Sequence, residues 1–165
     1  MYQFLNALTS YLLDNLMKLL LVCTSGGHFA TMKDLRSFWS LHDRVWVTHR
    51  GEDTNALAET EKIHWLPYQA PRNVVSLIQN IPETYRILSS EKPDLVISTG
   101  ASIALNFAFA AKSLGVPFAY IESISRSNDL SISGKLVYPM ANEFYVQWPN
   151  LCKKYRRAVF MGYAS

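Results

Sequence analysis

Short apolar runs alternate with stretches of helical periodicity along most of the chain. The apolar runs predict strands at Lys18 to Thr24, Arg44 to Thr48, Lys62 to Leu66, Asp94 to Ser98, Phe118 to Ile121 and, as the last strand, Glu143 to Val146. Helices are predicted after the first strand, from an opening at Pro71-Arg72-Asn73, with Asn73 as the cap, to about Leu88 with a kink at Pro82, from Ile103 to Leu114 and from Pro149 to Arg156. Apolar strands that alternate with helices are typical of parallel sheets. The sequence therefore predicts an α/β fold, a doubly wound, Rossmann-like parallel sheet with helices on both faces.

The first sixteen residues carry a different pattern. Their apolar side chains recur near helical spacing, and their polar side chains fall mainly elsewhere. Residues 1–16 are therefore expected to form an amphipathic helix that contacts a membrane surface or a partner, the alternative being an extension upstream of a start at Met17. Residues 17–165 have the length of one domain. No run of about 20 apolar residues is present, so no conventional transmembrane span is predicted.

Charge and cysteine content narrow the class of protein. The formal net charge of +3 is a mild excess and does not indicate nucleic-acid binding. Basic residues nevertheless crowd positions 153–157, where they would meet anionic lipid headgroups or form a solvated helix face. Cys23 and Cys152 show neither metal-ligand spacing nor a disulfide framework. We therefore expect no metal site, and a reducing cytoplasmic environment.

The most informative local motif is the turn Ser25 to His28, which follows the first predicted strand. Two glycines at a strand-to-helix turn let a ligand approach the backbone closely, and the first amides of the helix point at it. Such a turn suits a phosphate, a pyrophosphate or a developing oxyanion. The imidazole of His28 in the first helical turn adds a group that titrates near neutral pH. The alternative is a plain tight turn in which His28 caps or packs.

Two further polar loops follow predicted strands, from Ser98 to Ser102 and from Glu122 to Arg126. Ligands of doubly wound sheets bind outside the carboxyl ends of the strands, so these loops and the glycine turn are expected to meet there. The glycine turn lacks the third glycine of the dinucleotide fingerprint, and no P-loop lysine is present. A nicotinamide enzyme is therefore a weak interpretation, and no cofactor is predicted.

Several blocks of the sequence carry a resemblance to a known family. They are Cys-Thr-Ser-Gly-Gly-His at 23–28, Asp-Leu-Val-Ile-Ser-Thr-Gly at 94–100, Tyr-Ile-Glu-Ser-Ile-Ser-Arg at 120–126, Leu-Ser-Ile-Ser-Gly-Lys-Leu-Val-Tyr at 130–138 and Phe-Tyr-Val-Gln-Trp-Pro at 144–149. From about Lys18 to Tyr163 the chain resembles the acceptor-side subunits of split glycosyltransferases. These include the membrane-anchoring subunit of the eukaryotic dolichol-pyrophosphate N-acetylglucosamine transferase and bacterial capsule or exopolysaccharide β-1,4-glycosyltransferase enhancer subunits. More distantly, the chain is similar to the N-terminal half of the peptidoglycan lipid-II glucosaminyltransferase.

The resemblance implies an N-terminal, acceptor-binding lobe of the two-lobed GT-B architecture. A separate subunit would supply the donor lobe and share the UDP-sugar, so this chain would be inactive or nearly so alone. The acceptor would be a sugar linked to a polyprenyl pyrophosphate, and the protein would lie peripherally on the cytoplasmic face of a membrane. Two other classes stay open, a recruiting module without a reacting group and a self-sufficient sugar-nucleotide enzyme. The donor sugar is not identified by the sequence.

An inverting sugar transfer needs a general base at the acceptor hydroxyl and donors for the acceptor phosphates. His28 is a candidate base, and Glu122 either orients its imidazole or acts as the base itself. Glu122 in a structural salt bridge with Arg126 is the alternative. The phosphate-binding and acceptor-binding candidates are Ser25, Gly26, Gly27, Thr99, Gly100, Ser102 and Arg126. The expected docking surface for the donor lobe is the aromatic C-terminal part of the chain, Phe144, Tyr145, Trp148, Tyr155, Phe160 and Tyr163.

Overall fold

The computed structural model describes residues 16–68 and 73–163. The strands are β1 (Lys18–Val22), β2 (Asp43–Thr48), β3 (Ile63–Trp65), β4 (Leu95–Ser98), β5 (Phe118–Ile121), β6 (Glu143–Val146) and β7 (Ala158–Phe160). The helices are α1 (Gly27–Asp34), α2 (Arg36–Trp39), a 3-10 helix (Asn55–Glu59), α3 (Val74–Gln79), α4 (Ile81–Glu91), α5 (Ile103–Leu114), α6 (Ile132–Val137) and α7 (Pro149–Lys154). The helix predicted over residues 1–16 lies outside the described residues, apart from its last position.

In the described residues, seven strands form one parallel sheet in the order β3-β2-β1-β4-β5-β6-β7. Leu20 of β1 lies opposite Val45 of β2 on one side and opposite Val96 of β4 on the other. The chain runs outward from β1 to β3 and then crosses back to β4, which makes the middle of the sheet a topological switch point. The predicted doubly wound parallel sheet is confirmed. The loops after β1, β2, β4 and β5 all leave its carboxyl edge.

Both faces of the sheet are covered, because successive side chains of a strand point to opposite faces. Leu20 belongs to a buried cluster with Phe107 of α5 on one face. Leu21 belongs to a second cluster with Phe29 of α1 and Trp46 of β2 on the other face, where the rings of Phe29 and Trp46 meet edge to face at 5.8 Å. Burial on both sides is the reason that the central strands β1, β4 and β5 are almost entirely apolar rather than alternating.

Two predictions about the elements were wrong. The chain continues past β6 into α7 and then into a further strand, β7, so Glu143–Val146 is not the last strand. Pro82 does not kink a continuous helix. Asn73 caps α3 with its side chain, α3 ends at Gln79 with Asn80 as its C-cap, and Pro82 stands in the first turn of the separate helix α4. Proline is tolerated there because the first helical amides have no intrahelical acceptor.

The opposite edge of the sheet is held by an ion-pair cluster centred on Glu91, at the end of α4. This nearly buried carboxylate accepts from Lys62 at 2.8 Å and from His64 at 2.6 Å, and it pairs with Lys18 at 2.9 Å. Burial of Glu91 opposes its ionisation, but the hydrogen bonds from Lys62, His64 and Lys18 prevail and lower the pKa of Glu91 to about 2. The cluster joins α4 to the beginnings of β1 and β3, far from the carboxyl edge.

None of the helices in residues 16–68 and 73–163 is long and apolar enough to span a membrane.

Candidate functional site

The glycine turn lies directly after β1, at the carboxyl edge of the sheet. Gly26 has a φ of +82°, a conformation that favours glycine, and α1 begins at Gly27. The amides of Gly27, His28 and Phe29 have no intrahelical acceptor, because the first bond of the helix runs from the Ala30 amide to the Gly26 carbonyl at 3.0 Å. Gly26 and Gly27 are exposed and His28 is half-buried. The turn therefore presents backbone donors beside an accessible imidazole.

The imidazole of His28 is fixed by the loop after β4. Its Nδ1 atom lies 2.7 Å from the carbonyl oxygen of Thr99, and the Thr99 hydroxyl donates to the carbonyl oxygen of His28, also at 2.7 Å. A carbonyl oxygen can only accept, so Nδ1 carries the proton in this contact. In neutral His28 the Nε2 atom then keeps its lone pair. The geometry sets up Nε2 as the basic nitrogen of the ring.

The loop after β4 approaches His28 closely and has an unusual backbone. Gly100 has a φ of +119° and Ala101 a φ of +66°, so two successive residues lie in the left-handed region. A Cβ atom on Gly100 would lie 2.8 Å from Cε1 of His28 and 3.3 Å from the hydroxyl of Tyr120. Thr99 is fully buried, so its hydroxyl faces His28 rather than the open edge, whereas Ser102 is half-buried at the start of α5.

Glu122, in the loop after β5, is 1% exposed and accepts hydrogen bonds from Ser131, the N-cap residue of α6. Its carboxylate accepts from the amides of Ser123 and Ser131, both at 2.9 Å, and from the Ser131 hydroxyl at 3.0 Å. Burial raises the pKa of the neighbouring Tyr120, and the Glu122 charge raises it further. Tyr120 thus lies near both Glu122 and the turn at Gly100. Within the described residues, the Glu122 carboxylate makes no hydrogen bond with the imidazole of His28.

The salt bridge considered between Glu122 and Arg126 is not formed in the described part of the chain. The Glu122 carboxylate accepts from Ser131 at the start of α6, and the exposed Arg126 stands on the same loop with its amide bonded to the Ser123 carbonyl at 3.0 Å. The guanidinium of Arg126 therefore faces solvent at the carboxyl edge.

Sequence reasoning missed the loop after β2, which completes the site. His49 lies next to Ser25, with its Nε2 atom 2.9 Å from the Ser25 hydroxyl, and Asp53 accepts the Gly26 amide at 2.6 Å. Burial lowers the pKa of His49, with the Asp53 charge opposing the shift. Both residues lie in the loop that follows the predicted second strand, and this place at the carboxyl edge was the signal that could have identified them.

The C-terminal aromatic residues divide into two groups, which corrects the expected docking surface. Phe144 and Tyr145 belong to the core, at 2% and 1% exposure. Trp148 and Phe160 instead surround Tyr163, with ring centroids 5.3 Å and 5.8 Å from it, and Tyr163 is 52% exposed. The reason is strand alternation, because Phe144 and Tyr145 point to opposite faces of the sheet and each face is covered by a buried cluster.

Some side chains of the basic stretch at 153–157 contact other residues of the same chain. Lys154 forms an ion pair with Asp129 at 2.8 Å, and the Arg157 guanidinium stacks on the Tyr138 ring at 4.8 Å. Lys153 and Arg156 are exposed. Only part of the predicted positive charge is therefore free to meet a ligand or a lipid headgroup.

No group of three or more His, Cys, Asp or Glu side chains within residues 16–68 and 73–163 is arranged to hold a metal ion.

Comparison with solved structures defines the class of fold. The chain superposes on MurG from Acinetobacter baumannii with a TM-score of 0.69 at 16% identity, covering 88% of this chain and 45% of that one. It superposes on a UDP-N-acetylglucosamine 2-epimerase from Rickettsia bellii with a TM-score of 0.71 at 16% identity, covering 91% and 46%. The chain thus spans a little under half the length of these proteins. Its fold is that of the N-terminal lobe of a GT-B protein.

Comparison with protein families then gives the particular family. The chain belongs to the family described as oligosaccharide biosynthesis protein Alg14 like, whose model matches residues 67–164. It is 31% identical over 167 residues to the UDP-N-acetylglucosamine transferase subunit ALG14 of Debaryomyces hansenii, covering 84% of this chain and 72% of the relative. It is 29% identical over 177 residues to the subunit of the same name from Rattus norvegicus, covering 87% and 81%. The family resemblance seen in the sequence is confirmed.

Proposed function

We propose that this chain is the acceptor-binding, membrane-associated subunit of a two-component UDP-N-acetylglucosamine transferase. The observation that carries the proposal is the match to relatives named as transferase subunits, of whose length the chain covers 72% and 81%. The lobe corresponds to less than half the length of the solved GT-B proteins that share its fold. A separate donor-lobe subunit would bind most of the UDP-sugar and close the cleft, and the chain alone would be inactive or nearly so.

The proposed acceptor is a sugar linked to a polyprenyl pyrophosphate. Support comes from the free amides of Gly27 and His28 at the start of α1, where an anion is favoured by the helix dipole. Arg126 faces the same edge and would pair with a second phosphate. The sequence predicts that Gly26 binds an acceptor phosphate, but the Asp53 carboxylate already accepts the Gly26 amide. A phosphate at this turn would have to displace that carboxylate or bind beside it.

In the proposed reaction, Nε2 of His28 takes the proton from the attacking acceptor hydroxyl. The acceptor oxygen forms a bond to the anomeric carbon as the bond from that carbon to the UDP oxygen breaks, with inversion at the anomeric carbon. The leaving UDP carries away the electron pair of the broken bond, and the imidazolium holds the proton. The Nδ1 contact with Thr99 supports this role, because it leaves Nε2 as the acceptor.

Glu122 fits a different role from that of the base. Its carboxylate already accepts three hydrogen bonds from the start of α6 and the preceding loop, and it is almost fully buried. We assign it to holding the loop that carries Arg126. It remains the second choice for the base if His28 proves dispensable.

The proposed docking surface for the donor-lobe subunit is the cluster of Trp148, Phe160 and Tyr163. Aromatic side chains are enriched at interfaces because they bury large areas at a small entropic cost. The exposed ring of Tyr163 offers such an area next to β7, the edge strand. The proposed location is peripheral, on the cytoplasmic face of a membrane, with residues 1–16 and the exposed Lys153 and Arg156 as the contacts.

The test is transfer of radiolabelled N-acetylglucosamine from its UDP derivative to a polyprenyl-pyrophosphate-linked sugar. This chain and the donor-lobe subunit are assayed separately and together, and activity is expected only together. Tyr163→Ala should weaken assembly and lower turnover at limiting subunit concentrations. The matched control is Phe109→Ala, which removes an exposed aromatic ring from α5 and should change neither.

Two outcomes would overturn the proposal in different ways. Full turnover by this chain alone would show a self-sufficient enzyme. A fully active complex that carries both His28→Ala and Glu122→Ala would show a recruiting module that supplies no reacting group.

A further inference from the structure

The turn after β4 contacts the His28 ring and its backbone at the same time. The Thr99 carbonyl accepts from Nδ1, and the Thr99 hydroxyl donates to the carbonyl of His28 itself, so the two residues form a reciprocal pair. The two residues are 71 positions apart in the chain. The pair therefore couples the start of α1 to the carboxyl end of β4 at one point.

The backbone of this turn is held in a costly conformation. Left-handed φ angles at two successive residues, Gly100 and the non-glycine Ala101, are rarely adopted without a compensating constraint. Such strain clusters at functional sites. Here the reversal brings the backbone of Gly100 close to Cε1 and Nδ1 of His28, at a separation that leaves no space for a side chain.

We propose that Thr99 and Gly100 are positioning residues that select the tautomer of His28. The carbonyl of Thr99 keeps the proton on Nδ1, and the missing Cβ of Gly100 lets the ring lie close enough for that contact. This inference rests on the proposed role of His28 as the base. The opposite tautomer would place the proton on Nε2, which could then not take the proton of the acceptor hydroxyl.

The first test reads the tautomer directly in the full chain. Two-bond proton–nitrogen correlation spectra of the ¹⁵N-labelled protein distinguish a protonated Nδ1 from a protonated Nε2, and neutral wild-type His28 should show the proton on Nδ1. Gly100→Ala should move a measurable fraction to the Nε2 form. Gly115→Ala is the matched control, because Gly115 also has a positive φ, of +71°, but a Cβ there meets nothing within 4 Å. Both substitutions add a Cβ to a residue with a positive φ, but only the Cβ of Gly100→Ala would contact the His28 ring.

The second test uses variants of Thr99, and it tests the proposal even if Gly100→Ala does not fold. Thr99→Val removes the hydroxyl that donates to His28 and should loosen the pair, whereas Thr99→Ser keeps the donor and should restore the wild-type spectrum. In the assembled two-subunit enzyme, Gly100→Ala should lower kcat by about 10–100-fold, the loss typical of a misplaced catalytic group. The KM for the acceptor should change far less.

The outcomes separate this inference from the proposed function. A wild-type His28 with its proton on Nε2, or tautomer populations and kcat unchanged in both Gly100→Ala and Thr99→Val, would overturn the positioning role. An equal loss of kcat in Gly115→Ala would assign the effect to general strain and would overturn it as well. Full turnover in His28→Ala would instead remove the proposed base, and the spectra would still report whether Thr99 and Gly100 set the ring.

Discussion

The carboxylate of Asp53 accepts the amide hydrogen of Gly26 at 2.6 Å. This contact places a negative charge from the loop after β2 on the first amide of the glycine turn. Gly51 makes the approach possible, since a Cβ there would lie 2.9 Å from Cβ of Ser25 and 3.1 Å from Oδ1 of Asp53. The protein thus carries its own anion at the place where a phosphate is proposed to bind.

Replacing Asp53 by Asn should strengthen binding of an anion to the turn. One exposed unit charge about 4 Å away costs about 1 kcal/mol, which corresponds to about fivefold in affinity. Calorimetric titration with inorganic pyrophosphate measures the change. Glu52→Gln is the control, because it removes the same charge from the exposed neighbouring residue, which has no contact with Gly26. Equal affinities for wild type and Asp53→Asn would show that the carboxylate only caps the turn.

Replacing His28 by Ala should lower kcat of the assembled enzyme by about 10²–10⁴-fold, the usual contribution of a general base. Assembly, measured by size-exclusion chromatography, should be unaffected. His64→Gln changes a histidine at the opposite edge of the sheet and should leave kcat near the wild-type value. Unchanged turnover in a folded, assembled His28→Ala enzyme would transfer the role to Glu122.

Gly134→Ala should destabilise the fold although it lies inside helix α6. Glycine to alanine in a helix interior normally adds about 0.5–1 kcal/mol of stability. Here the new Cβ would overlap the Glu122 carboxylate, and overpacking of this kind costs about 1–3 kcal/mol. Urea denaturation measures the difference, with Ser133→Ala in the same helix expected to be neutral or slightly stabilising. A gain in stability for Gly134→Ala would mean that Glu122 is not held against α6.

The stability of the fold should fall steeply below pH 4.5 because of Glu91. Its pKa is lowered from 4.5 to about 2 in the folded protein, so its contribution is complete above pH 4.5 and is lost as the pH falls towards 2. Glu91→Gln should cost about 3 kcal/mol at pH 7 and flatten the pH dependence in that window. Glu83→Gln, which breaks an exposed pair with Arg86 on the same helix, should have a small effect. Thermal unfolding between pH 2 and 7 follows both variants, and parallel curves for Glu91→Gln and wild type would contradict the assignment.

Binding to anionic vesicles should depend on residues 1–16 and on the free basic side chains. Deletion of residues 1–16 should weaken co-sedimentation with phosphatidylserine-containing vesicles, and salt should weaken it in the full chain. Lys153→Ala and Arg156→Ala should each reduce the affinity by about fivefold, since a basic residue near such a surface contributes about 1 kcal/mol. Arg36→Ala removes an exposed charge from α2 and serves as the control. Undiminished binding after the deletion would rule out the N-terminal anchor.

The sequence by itself determined the parallel sheet and placed the candidate site residues at its carboxyl edge. Apolar strands followed by helices specify a parallel sheet, because only a strand buried on both faces is apolar throughout, and α5 begins and ends where the sequence places it. The rule that ligands bind at the carboxyl edge then located the glycine turn, Thr99 and Glu122 at one side. Short-range patterns sufficed for these conclusions, since each depends on neighbours within one element.

Tertiary structure alone decided what each polar group of the site touches. The Thr99 carbonyl meets His28, and Asp53 meets Gly26, across separations of 71 and 27 residues. The sequence likewise could not assign the Glu122 carboxylate to the start of α6, or separate buried Phe144 from exposed Tyr163. Hydrogen bonds and burial depend on distances between loops that are set by strand order and by the twist of the sheet. A local pattern places a residue at an edge, and only the packed fold fixes the direction of its side chain and its partner.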